Sequence, residues 1–254
     1  MNMEPALPRT GSAPGLLAAG DFFFRHRNTV FPLVLAALCI AFPPRFAGGS
    51  PLFDRWLDLA GLAVVLAGQG LRAAVIGFAY IKRGGLNKRV HAASLVTTGL
   101  FGVCRNPLYL GNGLIVAGLL LVHGNPWACL LGALAFGFAY RSIVASEETF
   151  LIGRFGADYL DYCRQVPRWW PDFSRFAEAT RDMRFDWRRV VANDYGTAFS
   201  WITGLAALFA YESAYHGGPG SRLATAVGLI GGAGALALAI RHLKKSGRLA
   251  PART

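Results

Sequence analysis

The sequence is poor in charged residues, and acidic residues are especially scarce. Asp, Glu, Lys and Arg together make up 16% of the 254 residues, with 14 acids against 26 bases. Hydrophobic residues make up 54% and fall in long runs rather than in alternating patterns. Long apolar runs with so few charges are typical of chains embedded in a bilayer. The composition therefore predicts an integral membrane protein.

Cysteine and histidine are also few and scattered. The four cysteines form no Cys-x-x-Cys pair, and the five histidines are equally dispersed. This spacing is typical neither of a disulfide framework nor of a zinc site, so we expect no metal. The sequence lacks a Walker loop, a catalytic-serine elbow and a His-Glu-x-x-His motif. Gly111-Asn112-Gly113 has no strand before it, which excludes a Rossmann fingerprint.

The apolar residues group into six candidate membrane spans, at 29–43, 57–80, 108–123, 127–145, 198–215 and 223–240. They predict an all-α, polytopic membrane helical bundle of about six membrane segments. The third span is short and reaches about 24 Å at 1.5 Å per residue. It can therefore form half of a shallow helical hairpin through Gly124-Asn125-Pro126 instead of a full crossing.

Basic residues are unevenly distributed between the predicted sides of the membrane. If the N-terminus is cytoplasmic, 22 of the 26 Lys and Arg residues lie in the cytoplasmic segments, which are 1–28, 81–107, 141–197 and 241–254. This asymmetry predicts that both termini are cytoplasmic. An Ala-, Gly- and Arg-rich composition suggests a bacterial inner membrane. The net charge of +12 suits an anionic leaflet, and nucleic acid is the poorer explanation.

The spans divide the chain into four parts. We expect a cytoplasmic tail at 1–28, disordered over its first 20 residues, and a membrane core at 29–170. A cytoplasmic connector at 171–197 and a two-helix membrane extension at 198–254 follow. Small residues in the last span predict close helix packing there, at Gly228, Gly231, Gly232 and Gly234.

A polar and cationic cluster adjoins the start of the third span. Asn106 before Pro107 predicts a helix N-cap with proline at the first helical position, so unpaired backbone N–H groups point toward Arg105. A guanidinium beside a helix N-terminus favours a carboxylate or phosphate. The adjacent Cys104 could act as a nucleophile, but it has no basic partner nearby in sequence, and packing is the simpler explanation.

Two adjacent acids, Glu147 and Glu148, end the fourth span. Carboxylates at a membrane border cost free energy unless they are paired or bind something. Helical spacing stacks an apolar and aromatic side after them, made of Glu148, Leu151, Phe155, Tyr159, Tyr162 and Val166. That side can bind a ligand or merely pack against the membrane core.

Two further features have alternative interpretations. Arg72 lies inside the second span, where it either contacts an anionic acceptor or forms an internal salt bridge. Gly111 and Gly113 either let helices pack closely or let a ligand approach the helix backbone.

Taken in order, these motifs resemble those of the isoprenylcysteine carboxyl methyltransferase and phospholipid methyltransferase superfamily, integral membrane enzymes that use S-adenosylmethionine. The resemblance covers about residues 68–170. It is carried by Gly70 and Arg72, Leu95-Val96-Thr97-Thr98-Gly99, Arg105-Asn106-Pro107-Leu108-Tyr109, Glu147-Glu148, Phe155-Gly156, Tyr159, Tyr162 and Val166-Pro167-Arg168-Trp169. Asn106 stands where many members carry His, and Leu100 stands where Pro is common. Residues 171–254 lie outside the shared core.

The resemblance implies a cytoplasmic cofactor pocket beside the helical hairpin, with a tunnel open to the bilayer. S-adenosylmethionine would be bound by Leu95, Val96, Thr97, Gly99, Arg105, Asn106, Tyr109, Glu147 and Glu148. Arg105 would face the methionine carboxylate, braced by Tyr109, and the glutamates would accept from the ribose hydroxyls or the ammonium group. Arg105 and Arg72 are the catalytic candidates. The acceptor-binding candidates are Gln69, Arg72, Tyr159, Tyr162, Arg168 and Trp169.

Methyl transfer is an in-line displacement that needs alignment and a dehydrated pocket more than a dedicated acid or base. The expected acceptor is a lipid or other membrane-partitioning small molecule, with a small thiol as an alternative. An NADPH-dependent membrane reductase of sterol-reductase type is the runner-up, although Ser146–Leu151 lacks the extra cations that a 2′-phosphate needs. A non-enzymatic scaffold would leave Arg105 and the acidic pair unexplained. The oligomeric state is open.

Overall fold

The computed structural model describes residues 13–45, 49–78, 85–86, 89–90, 94–181, 183–216 and 220–249. Its α-helices are α1 (Pro14–Ala41), α2 (Pro51–Phe78), α3 (Pro107–His123), α4 (Pro126–Phe155), α5 (Ala157–Gln165), α6 (Phe176–Thr180), α7 (Trp187–Tyr215) and α8 (Ser221–Lys245). Short 3₁₀ helices cover Gly99–Gly102 and Phe173–Arg175, and Gly85–Leu86 pairs with Arg89–Val90 in a small antiparallel ladder. Apart from this ladder, the predicted all-α bundle is confirmed.

Glycines bring α2 and α3 into close antiparallel contact. A Cβ at Gly61 would lie 2.7 Å from the carbonyl oxygen of Gly118, and one at Gly68 would lie 2.6 Å from that of Gly111. The paired glycines are two helical turns apart on each helix, so both contacts fall on one face. For Gly111 the structure therefore shows helix packing. A Cβ at Gly113 would meet no described atom within 4 Å.

The predicted hairpin is formed by α3 and α4. Gly124 ends α3 with a φ of 73°, and Asn125 then caps α4 by accepting from the N–H groups of Trp127 and Ala128. However, α4 has 30 residues, about 45 Å at 1.5 Å per residue, and continues ten residues past the predicted end at 145. Glu147 and Glu148 therefore lie inside the helix rather than at its end.

Helix α1 begins earlier than the sequence predicts. It starts at Pro14, so the predicted disorder is wrong for residues 14–20, while residues 1–12 lie outside the described part. Its N-terminal half packs antiparallel to α4. The Phe31 ring lies 5.3 Å from that of Phe136 and 5.4 Å from that of Tyr140, both edge-on. We call these rings, with Phe24 and Ile143, the α1–α4 aromatic cluster.

Helix α7 also begins earlier than predicted, at Trp187 instead of residue 198. It packs against α2 and α3, where Trp201 and Leu205 contact the core of Val65 and Ile115. The predicted connector is thus shorter, and α7 is part of the same bundle. Helix α8 packs against α7. The close packing predicted for its glycines is wrong within the described residues at three positions, where a Cβ would meet nothing within 4 Å, namely Gly228, Gly231 and Gly232.

Three described helices are long and apolar enough to cross a bilayer, namely Leu52–Phe78, Pro126–Phe155 and Leu223–Lys245. Pro107–His123 is apolar but has 17 residues. Length and composition therefore support three of the six predicted spans. The predicted span at 29–43 overlaps α1 up to its end at Ala41, and the one at 198–215 lies within α7; both helices also carry charged residues.

One end of the bundle collects several helix termini. Ser146 Oγ on α4 donates to Asp21 on α1, and the N–H of Asp186, just before α7, donates to the carbonyl oxygen of Gly77 at 3.0 Å. The C-terminal ends of α2 and α4 and the N-terminal ends of α1, α3 and α7 thus lie together, and we call this the site end. The described parts of the basic segments lie at this end, and a cytoplasmic orientation stays a prediction.

Candidate active site

The segment before α3 is tied to the segment after α5. The N–H of Arg105 donates to the carbonyl oxygen of Pro167 at 2.9 Å, and Asn106 Nδ2 donates to that of Arg168 at 3.1 Å. Asn106 is the N-cap residue of α3, as predicted, but its side chain makes no capping hydrogen bond. The asparagine therefore joins two chain segments instead of satisfying the helix N-terminus.

Glu148 lies between two guanidinium groups. Its Oε1 is 3.1 Å from Nη1 of Arg105 and accepts from Nε of Arg168 at 3.0 Å, while Nη2 of Arg168 donates to Oε2. The side chains of Glu148, Arg105 and Arg168 are 9%, 13% and 50% exposed. Arg105 is therefore the buried partner and Arg168 the outer one. Arg168, which was predicted to bind the acceptor, contacts Glu148, which was predicted to bind the cofactor.

The second acid pairs with an aromatic hydroxyl. Tyr109 donates its hydroxyl to Oε1 of Glu147 at 2.7 Å. The Tyr109 ring lies 5.7 Å from that of Tyr140, and Trp169 packs against the same α1–α4 aromatic cluster. Tyr109 thus holds the carboxylate of Glu147 in place. The resemblance had instead implied that it supports Arg105.

The predicted aromatic side holds together across a break in the helix. Gly156, with a φ of 55°, separates α4 from α5, yet Tyr159, Tyr162 and Val166 form one buried cluster against which Leu95 packs. Tyr162 donates its hydroxyl to the carbonyl oxygen of Phe101 at 2.7 Å. Burial raises the pKa of Tyr159 and of Tyr162, so both hydroxyls stay protonated at neutral pH.

Cys163 is a site residue that the sequence reasoning missed. Nη1 of Arg105 donates to its Sγ at 2.6 Å. Burial by itself lowers the pKa of the Arg105 guanidinium, but Glu148, Cys163 and Tyr159 outweigh burial and raise that pKa above its usual value. Arg105 therefore stays charged. Cys163 lies one helical turn after Tyr159, a predicted site residue, and this spacing could have indicated that it shares the same helix face.

Cys104 is a packing residue. Its side chain is 1% exposed, and its Sγ lies 3.5 Å from the carbonyl oxygens of Arg168 and Trp169. Burial raises the pKa of its thiol, which keeps it in the unreactive form.

Arg72 forms an internal ion pair. Its Nε and Nη2 donate to Oδ1 of Asp194 on α7, the first at 3.1 Å. Its Nη1 donates to Oδ1 of Asn112 at 2.6 Å, and Nη2 also donates to Oγ1 of Thr197 at 3.1 Å. Gln69 Nε2 donates to Oδ2 of the same Asp194 at 2.6 Å. Of the two interpretations of Arg72, the structure shows the salt bridge.

This network lies among α2, α3 and α7, and within the described residues it shares no hydrogen bond with the glutamate pair. Trp201 Nε1 extends it by donating to Oε1 of Gln69 at 2.8 Å. Sequence reasoning missed Asp194 because residue 194 fell in the predicted connector. An arginine inside an apolar span implies a buried counter-ion, which was the signal for an acid on another helix.

The segment predicted to border the adenine lines a cleft. Gly99, with a φ of 65°, turns the chain into the 3₁₀ helix, and Val96 is half-buried. Beside it is a cleft of about 250 Å³, lined by Thr97, Thr98, Gly102, Arg175, Glu178, Ala179 and Met183. Of the predicted cofactor residues, Thr97 lines the cleft, while Arg105, Tyr109, Glu147 and Glu148 lie at the glutamate pair.

Residues 58–158 match the family model described as phospholipid methyltransferase. This segment contains most of α2 and all of α3 and α4, and with them Arg72, Arg105 and both glutamates. Over this segment, which is 101 of the 254 residues, the chain is similar to the isoprenylcysteine carboxyl methyltransferase and phospholipid methyltransferase superfamily. The resemblance seen in the sequence is thereby confirmed.

Curated relatives align over different shares of the chain. The protein-S-isoprenylcysteine O-methyltransferase of Rattus norvegicus is 32% identical over 117 residues, which are 44% of this chain and 40% of the rat protein. The nickel-cobalt-cadmium resistance protein NccN of Alcaligenes xylosoxydans xylosoxydans is 29% identical over 69% of this chain and 76% of its own length. The cobalt-zinc-cadmium resistance protein CzcN of Cupriavidus metallidurans is 26% identical over 78% of this chain and 87% of its own length. No solved structure matches.

Proposed function

We propose that this protein transfers a methyl group from S-adenosylmethionine to a membrane-partitioning acceptor. The observation that carries the proposal is the charged group at the site end, in which Glu148 lies between Arg105 and Arg168 with Glu147 beside it. Burying such charges costs free energy that apolar packing would avoid. Binding of a charged ligand would explain why these charged side chains are buried here in place of apolar ones.

The charges match the amino-acid end of S-adenosylmethionine, which carries one ammonium and one carboxylate. Glu147 and Glu148 offer acceptors to the ammonium or to the ribose hydroxyls, and Arg105 offers donors to the carboxylate. Nε of Arg105 is buried and makes no hydrogen bond within the described residues, so a donor remains unused. The residues present therefore fit this cofactor.

When bound, S-adenosylmethionine supplies an electrophilic methyl group on a sulfonium. The chain's own contribution is to align the reactants and to exclude water. Arg168 and Tyr109 hold the two glutamate carboxylates in place, and the α1–α4 aromatic cluster closes one side of the site. A phosphate, carboxylate or thiolate acceptor needs no general base, whereas an amine must arrive unprotonated.

We propose that the acceptor binds on the side of Gln69 and Arg72, with Tyr159 and Tyr162 as further candidates for contact with it. Because Asp194 neutralises Arg72, an anionic acceptor would bind through the remaining donor capacity of the guanidinium rather than through a free charge. A lipid or other apolar molecule is the favoured acceptor, and a small thiol is the alternative within the same reaction class.

The structure weighs against an NADPH-dependent reductase as the alternative. A 2′-phosphate needs cations that the protein does not already neutralise. Arg105 and Arg168 both pair with Glu148, so neither guanidinium is free for such a phosphate, and at the cleft Arg175 shares the lining with the acidic Glu178.

The deciding experiment is calorimetric titration of the purified protein in detergent with S-adenosylmethionine and, separately, with NADPH. We expect binding of the first alone. Arg105→Ala should lose nearly all binding and Arg105→Lys should keep part of it, since lysine keeps the charge but not the planar fork. Arg72→Ala, if folded, should keep the affinity and lose turnover. The reverse pattern would mean that the cofactor and acceptor sides are exchanged.

The breadth of the match to NccN and CzcN favours a role in tolerance to divalent metal cations as the biological setting. We propose that methylation of a membrane component contributes to such tolerance. Growth of a deletion strain on nickel, cobalt and cadmium, complemented by the wild type or by Arg105→Ala, tests this. Equal rescue by both proteins would contradict a role for the methylation.

A further inference from the structure

We infer that the segment after α5 completes the cofactor site, and that its cleft binds the adenosine end of the cofactor with Glu178 as a hydrogen-bond acceptor. This inference rests on the proposed function. It concerns residues 173–181 and Met183, which lie beyond the segment that matches the family model.

The cleft has walls from two distant parts of the chain. One wall is the segment Thr97–Gly102, and the other is formed by Arg175, Glu178 and Met183. Its volume of about 250 Å³ lies below the roughly 300–1,000 Å³ of pockets that enclose a whole ligand. The cleft therefore suits one end of a larger molecule.

The outer wall is fixed against the inner one by hydrogen bonds and contact. The N–H of Asp172 donates to the carbonyl oxygen of Val103 at 3.0 Å, and Nη1 of Arg175 donates to that of Gln165 at 2.6 Å. A Cβ at Gly102 would lie 3.0 Å from the Cβ of Ala179 and 3.1 Å from the carbonyl oxygen of Thr97, so glycine favours this close approach. The cleft is thus built by defined contacts between the two walls.

The lining chemistry matches a nucleoside. Adenosine presents a flat apolar ring, an exocyclic amine and two ribose hydroxyls, and it carries no charge. Thr97 and Thr98 are exposed and offer hydroxyls that donate or accept, while Ala179 and Met183 offer apolar contact. Glu178 is exposed, and its carboxylate can accept from the amine or the ribose hydroxyls.

Helix α5 connects the cleft to the glutamate pair. Tyr162 bonds the carbonyl oxygen of Phe101, which directly precedes the Gly102 wall of the cleft. The next residue, Cys163, accepts from Arg105, the partner of Glu148. Two adjacent residues of α5 thus contact the cleft segment and the partner of Glu148. A single ligand with a nucleoside end and an amino-acid end requires such a connection between the two.

The test uses the full chain in detergent and measures dissociation constants for two probes, S-adenosylmethionine and 5′-methylthioadenosine. The second probe has the nucleoside but lacks the amino-acid end. Glu178→Gln should weaken both probes about tenfold, the scale of one lost charge-assisted hydrogen bond. Asp161→Asn, an exposed acid on α5 away from the cleft, is the matched control and should change neither. Thr98→Val should weaken both probes about threefold.

Arg105→Lys separates the two ends, because it should weaken S-adenosylmethionine while leaving 5′-methylthioadenosine within about twofold of wild type. If the wild type binds S-adenosylmethionine normally but Glu178→Gln changes neither constant, the adenosine end lies elsewhere and this inference is overturned. If the wild type binds neither probe, the proposed function fails, and this inference fails with it.

Discussion

The strongest structural prediction concerns Glu148→Gln, which removes a charge between two guanidinium groups without changing the side-chain size. From the sequence alone, the variant is expected to bind the cofactor more weakly with an intact fold. The structure adds a stability cost, because Arg105 is 13% exposed and loses its carboxylate partner. We therefore expect both cofactor affinity and the free energy of unfolding to fall.

The magnitude follows from the burial of each partner. Removing one member of a buried ion pair costs about 3–5 kcal/mol, while a pair with a half-exposed partner is worth about 0–1 kcal/mol. Glutamine still accepts one hydrogen bond, so we expect a loss of about 2–3 kcal/mol, nearly all of it through Arg105 and little through Arg168. Cofactor binding should weaken by about 1.5–3 kcal/mol, the value of a hydrogen bond to a charged group.

The measurement is a pair of double-mutant cycles on unfolding in mixed micelles, combining Glu148→Gln with Arg105→Ala or with Arg168→Ala. We expect a coupling energy above about 1 kcal/mol for Arg105 and below about 0.5 kcal/mol for Arg168. Calorimetry with S-adenosylmethionine completes the set. Additive effects in the Arg105 cycle, or stronger coupling to Arg168, would refute the assignment of Arg105 as the buried counter-ion.

Three further predictions concern the bundle. Asp194→Asn should lower the free energy of unfolding by about 3–5 kcal/mol, because it leaves Arg72 buried without its carboxylate partner. Partial rescue by Arg72→Met in the same unfolding assay would confirm that cause. Gly118→Leu should lower the free energy of unfolding by about 1–3 kcal/mol, because the side chain forces α2 and α3 apart. The control Gly113→Leu, where space is open, should be near neutral. Equal effects of the two variants would contradict the close contact between the helices. Topology reporters should register cytoplasmic after Arg181 and Ser246 and periplasmic at His216, and a periplasmic signal after Ser246 would mean that the spans are miscounted.

The sequence indicated the site through residue types that are costly inside a membrane. Glu147, Glu148 and Arg105 were predicted because unpaired charges there demand a partner or a ligand, and the structure brings all three to the site end. The hairpin was equally predictable, since Gly124 and Asn125 carry their own turn and capping preferences. These are local properties that neighbouring residues in the chain determine.

The group that each charged side chain pairs with could not be predicted from the sequence. Arg168 was assigned to the acceptor and Arg72 was left between two interpretations, because a guanidinium is satisfied equally well by a ligand or by a carboxylate of the same chain. Helix ends were also misplaced at α1 and α7, where the helices continue past the apolar runs into charged segments. Propensity does not locate an end that tertiary contacts stabilise.

The sequence by itself determined the membrane class, the superfamily motifs, the hairpin turn and the acids and bases of the site, because each depends on composition or on residues a few positions apart. Only the tertiary structure decided that Glu148 pairs with Arg105 and Arg168, that Asp194 neutralises Arg72, and that a segment beyond the family core forms a wall of the cleft. Those pairings join residues 20 to 122 positions apart. The choice among many possible partners is made by the packing of helices, which no local pattern specifies.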